Sequence, residues 1–128
     1  MSRSFSKANL RRDVENSAEQ FGLPATFQAR FAKSVLEARD IGVSLQAIAP
    51  GESMPFAHRH REQPEEIYVV VAGSGTLTID QTEHPVAEWD VVHVAGHHAR
   101  HFSAGPEGIE FIAFGRIGDE SDAELIAV

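Results

Sequence analysis

Two histidines stand two residues apart, His58 and His60, and adjacent glutamates follow at Glu65 and Glu66. In an extended strand, residues two apart project from the same face. The two imidazoles can therefore converge on one point, and a carboxylate on the next strand can complete a facial set. Neutral imidazole with carboxylate is a donor set that Fe(II), Mn(II), Ni(II), Cu(II) or Zn(II) accepts while keeping coordination positions open. All seven histidines fall between positions 58 and 101, and the first 57 residues contain none, which places the chemistry in one part of the chain. The competing reading of His58 and His60 is a solvated pair beside Arg59, Arg61 and Glu62. For Glu66 it is a surface carboxylate at the start of a strand. Tyr68, two residues beyond Glu66, shares its face and is either a pocket phenol that donates a hydrogen bond or an aromatic wall residue.

The elements that must position these groups are short strands. From Ile41 onward the apolar period is two, as in Ile41, Val43, Leu45 and Ala47, with turn signals at close intervals. Strands are expected at 41–49, 54–59, 66–72, 75–80, 83–87, 91–95, 100–104 and 109–116. Turns are expected at Pro50-Gly51, Gly73-Ser74-Gly75, Asp80-Gln81, Gly96 and Gly105-Pro106-Glu107-Gly108. Short strands at this density predict an all-β barrel or jelly roll over 41–118. Residues 1–40 differ in texture. Phe27, Phe31 and Leu36 in TFQARFAKSVLEA recur at helix-like intervals, Gly22 and Pro24 interrupt the pattern, and Asn9 to Phe21 reads as a first helix or an extended arm. The acidic stretch 119–128 is expected to be a solvated tail, with Leu125, Ile126 and Val128 available for packing.

Composition narrows the partners. A chain of 128 residues with 42% apolar content supports one core. Its 19 acidic against 11 basic side chains give a net charge of -8, which disfavours nucleic acid and anionic membrane surfaces. There is no cysteine, so thiolate metal sites and disulfides are excluded. No apolar stretch reaches bilayer-spanning length and the N-terminus lacks the apolar block of a secretory signal, so a cytoplasmic location is expected.

The run from Gly51 through His58-Arg-His60, Glu65-Glu66 and Gly73 to Gly75 resembles the first motif of the cupin superfamily: glycine, five residues, HxH, three or four residues, glutamate, six residues, glycine. Here six residues separate Gly51 from His58. Glu65 fits the distance from His60 and Glu66 fits the distance to Gly73. Glu66 is preferred, because a strand running into a tight glycine turn is stiffer than the Pro64 loop; Glu65 is the alternative. Trp89-Asp-Val-Val-His93-Val-Ala-Gly96-His97-His98-Ala-Arg100-His101-Phe102 is similar to the second motif, which usually supplies a fourth ligand, a histidine. A turn shortened by one residue puts His101 in that place. Without the deletion Arg100 faces the pocket, where it suits an anionic substrate carboxylate. His93 is expected in the core or on the surface, His97 and His98 in an exposed turn, and His84 on the surface.

The resemblance implies a jelly-roll β-barrel, the double-stranded β-helix, often dimeric, with residues 1–40 covering an edge strand or a partner. It also implies a divalent metal (Fe, Mn, Ni or Zn) held by His58, His60, Glu66 and His101. Function is expected to be small-molecule chemistry. A redox metal favours a dioxygenase, a Lewis-acid metal favours an isomerase or lyase, and Glu65, Tyr68 or an unused histidine would then shuttle protons. A non-catalytic cupin that binds a small ligand, with or without metal, is the reading from a different class.

Overall fold

The computed structural model describes residues 4–62, 65–116 and 123–128. Eight strands form one curled antiparallel sheet: β1 (Phe27–Phe31), β2 (Ile41–Ile48), β3 (Phe56–His60), β4 (Glu65–Ile79), β5 (Thr82–Ala87), β6 (Val91–Ala95), β7 (Arg100–Arg116) and β8 (Ala123–Ala127). The curl comes from β4 and β7, which run longer than the expected strands. Ile67 to Gly73 pairs with the second half of β7, next to β2 on one side and β6 on the other. Gly75 to Ile79 pairs with the first half of β7, flanked by β5 and, across β7, by β3.

The glycines expected to close turns instead bend these two strands. Between the pairs Gly73↔Ile109 and Gly75↔Ala104 the ladder advances two residues on β4 and five on β7, so 105–108 bulges out of the strand. A Cβ on Gly73 would lie 2.0 Å from the Gly108 carbonyl oxygen, and one on Gly75 would lie 2.1 Å from that of Ser103. Close approach of two backbones, added to a positive φ of 73° at Gly73, is what requires glycine here.

The bend folds the two halves of the sheet over a shared interior. Phe102, opposite Leu77, and Phe111, opposite Val70, stack at 4.0 Å between ring centroids although they lie on different halves of β7. Tyr68 meets both edge-on, at 5.1 and 5.8 Å. All five side chains are buried, and this aromatic and aliphatic floor lies beneath the residues that could do chemistry.

Both ends of the chain depart from their sequence expectations. The helix-like spacing in TFQARFAKSVLEA belongs to strand β1, in which Phe27 and Ala29 are buried with period two, and to a single helical turn, α1 (Lys33–Leu36). Pairing along the whole of β1 with β2 overrides the weak local periodicity. The Asn9 to Phe21 segment forms an arm ending in a 3₁₀ turn (Ala18–Phe21). It is tied to β1 by Asn16 Oδ1, which accepts from the Ala29 amide at 3.0 Å, and by Arg30, which donates to the Val14 carbonyl at 2.6 Å. At the other end, 119–122 lie outside the described residues. Residues 123–127, expected in a solvated tail, form β8, paired with all five residues of β3. Glu124 bridges Arg59 at 3.1 Å. The physical reason is β3 itself, which pairs with β7 at only one position and leaves an edge to be satisfied. Among the described residues no helix is long and apolar enough to cross a membrane.

Candidate metal centre

Strand alternation puts His58 and His60 on the inner face of β3, with Ala57 and Arg59 on the other. The end of β3 is anchored by the His60 amide, which donates to the Gly96 carbonyl at 2.7 Å across to the turn between β6 and β7. Glu66 comes from the start of β4, on the other half of the curled sheet. Its Oε1 lies 3.7 Å from Nε2 of His58 and 3.7 Å from Nε2 of His60. One ligand atom from each of the three residues lies within 4.8 Å of the others. The side chains are 26%, 12% and 16% exposed for His58, His60 and Glu66, sheltered yet open to an ion or small ligand from the His58 side.

The donor set fits a divalent transition ion. Bonds of about 2.0–2.2 Å place neighbouring ligand atoms roughly 3 Å apart, so Glu66 Oε1 needs to close on each imidazole by less than an ångström. Two imidazoles and one carboxylate on one side of the ion leave the opposite side open.

Glu66 is kept charged. Burial pushes its carboxyl upward, but the facing His58 and His60 rings and the Tyr68 hydroxyl outweigh it and hold the group well below the usual carboxylate range. Tyr68 donates its hydroxyl hydrogen to Glu66 Oε1. Burial, and then the Glu66 charge, push the phenol well above its ordinary value. Tyr68 is thus a neutral donor that fixes the carboxylate at physiological pH.

At the fourth position the structure places Arg100. It pairs across the ladder with His58, which sets its side chain inward, and it is fully buried. Its Nη2 donates to the Ala95 carbonyl at 2.7 Å, and its Nη1 stands 3.9 Å from Glu66 Oε1. His101, expected as the fourth ligand, is corrected: it is not in the cluster. It follows Arg100 on the same strand and so takes the opposite face, opposite Thr78. Burial lowers its pKa, partly offset by Glu83.

The remaining candidates also separate by face. Glu65 turns outward and pairs with His93 at 2.8 Å, outside the group of three donors. His98 pairs with Asp80 and stacks near His97 in the β6–β7 turn. A cleft of about 500 Å³ opens between β5 and β6, lined by Ile79, Thr82, His84, Val94, Ala95 and others. Val94 and Ala95 lie in the run similar to the second motif, but only the register, with Val94 opposite Glu66 and Ile79 opposite Arg100, brings them beside residues of β4 and β7.

The cupin domain family model matches residues 44–115. The chain is 32% identical over 73 residues to the dimethylsulfoniopropionate lyase DddW of Ruegeria pomeroyi, covering 57% of this chain and 46% of the lyase. It is 37% identical over 65 residues to auxin-binding protein 1 of Arabidopsis thaliana, covering 50% of this chain and 31% of that protein. The chain thus spans less than half the length of either relative. A solved cupin protein from Bacteroides fragilis superposes with a TM-score of 0.70 at 23% identity, covering 94% of this chain and 89% of that one; this likeness concerns the fold alone.

Proposed function

This chain belongs to the cupin domain family, and from that premise we propose that it holds one divalent transition-metal ion with His58, His60 and Glu66 and acts on a small molecule as a non-haem metal dioxygenase. The observation that carries the reading is the convergence of two imidazole nitrogens and one carboxylate oxygen within 4.8 Å at the partly open end of a buried interior. When bound, an ion with this donor set supplies open positions for a chelating substrate and dioxygen. The chain's own residues supply the rest. Glu66 stays ionised, Tyr68 holds its Oε1, and Phe102 and Phe111 beneath them give the site an apolar floor that excludes water.

The similarity to a lyase favours a second reading, in which Zn(II) or Mn(II) polarises a carbonyl group for lyase or isomerase chemistry. The similarity to an auxin-binding protein supports the non-catalytic alternative, a module that binds a small ligand at the same centre.

Elemental analysis of purified protein, with and without chelator, tests the proposal. About one ion per chain is expected, with loss of stoichiometric metal in His58→Ala and His60→Ala, since each removes one of three ligands. Iron supports the dioxygenase and zinc or manganese the second reading. No metal after reconstitution with Fe(II), Mn(II), Ni(II) and Zn(II), or full metal in the double variant, overturns the centre.

A further inference from the structure

Arg100 is the group that the metal centre does not account for. The side chain is 0% exposed. One of its nitrogens, Nη2, donates to the Ala95 carbonyl, while Nε and Nη1 have no hydrogen-bond partner among the described residues. A buried guanidinium normally has its donors satisfied and its charge paired, because leaving either unmet is costly. Here the facing anion is Glu66, and at 3.9 Å from Nη1 it is too distant for a hydrogen bond.

The same Glu66 is a metal ligand in the proposed function, on which this inference rests. With metal–oxygen bonds of about 2 Å, an ion on Glu66 Oε1 lies no more than about 6 Å from Nη1. One carboxylate then faces a divalent cation and a guanidinium together, leaving an excess of positive charge in a sheltered site. A fully buried arginine cannot turn out to solvent without breaking its bond to Ala95.

We propose that Arg100 makes the centre a joint site for a cation and a carboxylate: the guanidinium anchors the carboxylate of a small organic acid, and the metal binds more tightly when that carboxylate is present. The planar fork of the guanidinium matches two carboxylate oxygens, and Nη1 is the donor left over on the side of Glu66. The ligand class is a small organic carboxylate.

The test is calorimetric titration of Mn(II) into the metal-free protein, in chloride and again with saturating acetate at equal ionic strength. Acetate is expected to tighten Mn(II) binding on the order of tenfold, within the ordinary range for two coupled sites. In Arg100→Gln, Mn(II) in chloride should bind tighter than in the wild type, and acetate should no longer matter. Should loss of the buried charge impair folding, Arg100→Lys keeps the charge without the fork. It should retain the weak binding in chloride and lose most of the acetate effect. Equal Mn(II) affinity with and without acetate in the wild type, or an undiminished acetate effect in both variants, overturns the coupling while leaving the metal centre standing. Absence of Mn(II) binding in every protein under both conditions overturns the centre itself, and the coupling with it.

Discussion

One oxygen of Glu66, Oε1, faces the Tyr68 hydroxyl, both histidine rings and the Arg100 guanidinium, and this crowding has a consequence for acid stability. The carboxyl is held below its ordinary value of about 4.3. A folded-state pKa lower than the unfolded one means that the ionised form favours the fold. That contribution is complete above about pH 4.3, disappears as the pH falls below it, and is on the order of 2 kcal/mol for a group this enclosed. Asp13, Asp80 and Glu124 are lowered as well, so acid weakens any variant, and the difference between proteins isolates Glu66. Urea unfolding of metal-free wild type and Glu66→Gln at pH 6 and pH 3.5 should show a steeper loss in the wild type; parallel losses would mean that the Glu66 charge does not stabilise the fold. Much of this centre was legible in the sequence, since alternation along a strand places His58 and His60 together and Tyr68 with Glu66. The choice between Arg100 and His101 was not, because a single residue of register decides it and the register is set by a non-local pairing with His58.

At the scale of elements, β4 and β7 read as pairs of short strands because glycine marks turns and bends alike. What distinguishes the two is the partner backbone, which local sequence does not display. The structure turns that distinction into a measurement on two glycines with nearly equal φ, 73° at Gly73 and 74° at Gly51. A Cβ on Gly51 would meet nothing within 4 Å, while one on Gly73 would be 2.0 Å from the Gly108 oxygen. Gly51→Ala should therefore cost only the left-handed backbone penalty, about 1–2 kcal/mol. Gly73→Ala should cost that plus the separation of β4 from β7, roughly 3 kcal/mol or more. Equal shifts in the urea midpoint would show that the close contact is relieved without loss of stability. The same dependence on distant partners explains the chain ends. The segment 27–31 carries helix-like spacing and becomes a strand because β2 offers a full ladder, and 123–127 becomes a strand because β3 has an edge to cover.

For the molecule as a whole, the position of the centre makes metal binding a folding term. His58 and His60 stand on β3, beside the first half of β7, and Glu66 stands on the stretch of β4 beside the second half. An ion held by all three ties the two halves of the curled sheet together at the end away from the glycine bend, where the backbone provides few links of its own. Such an ion binds the folded state and has no assembled site in the unfolded chain. At a free concentration one hundred times its dissociation constant it adds about 2.7 kcal/mol, which for a domain of this size raises the thermal midpoint by roughly 10 °C. The shift should grow with the logarithm of metal concentration and vanish in the His58→Ala/His60→Ala double variant. Non-specific attraction of cations to a chain with a net charge of -8 would also raise the midpoint, but Mg(II) would then match the transition metals and added salt would remove the effect. A shift seen with Mn(II) or Zn(II), absent with Mg(II), insensitive to salt and lost in the double variant, would therefore locate the binding at the imidazoles, whereas an equal Mg(II) shift would assign it to the acidic surface.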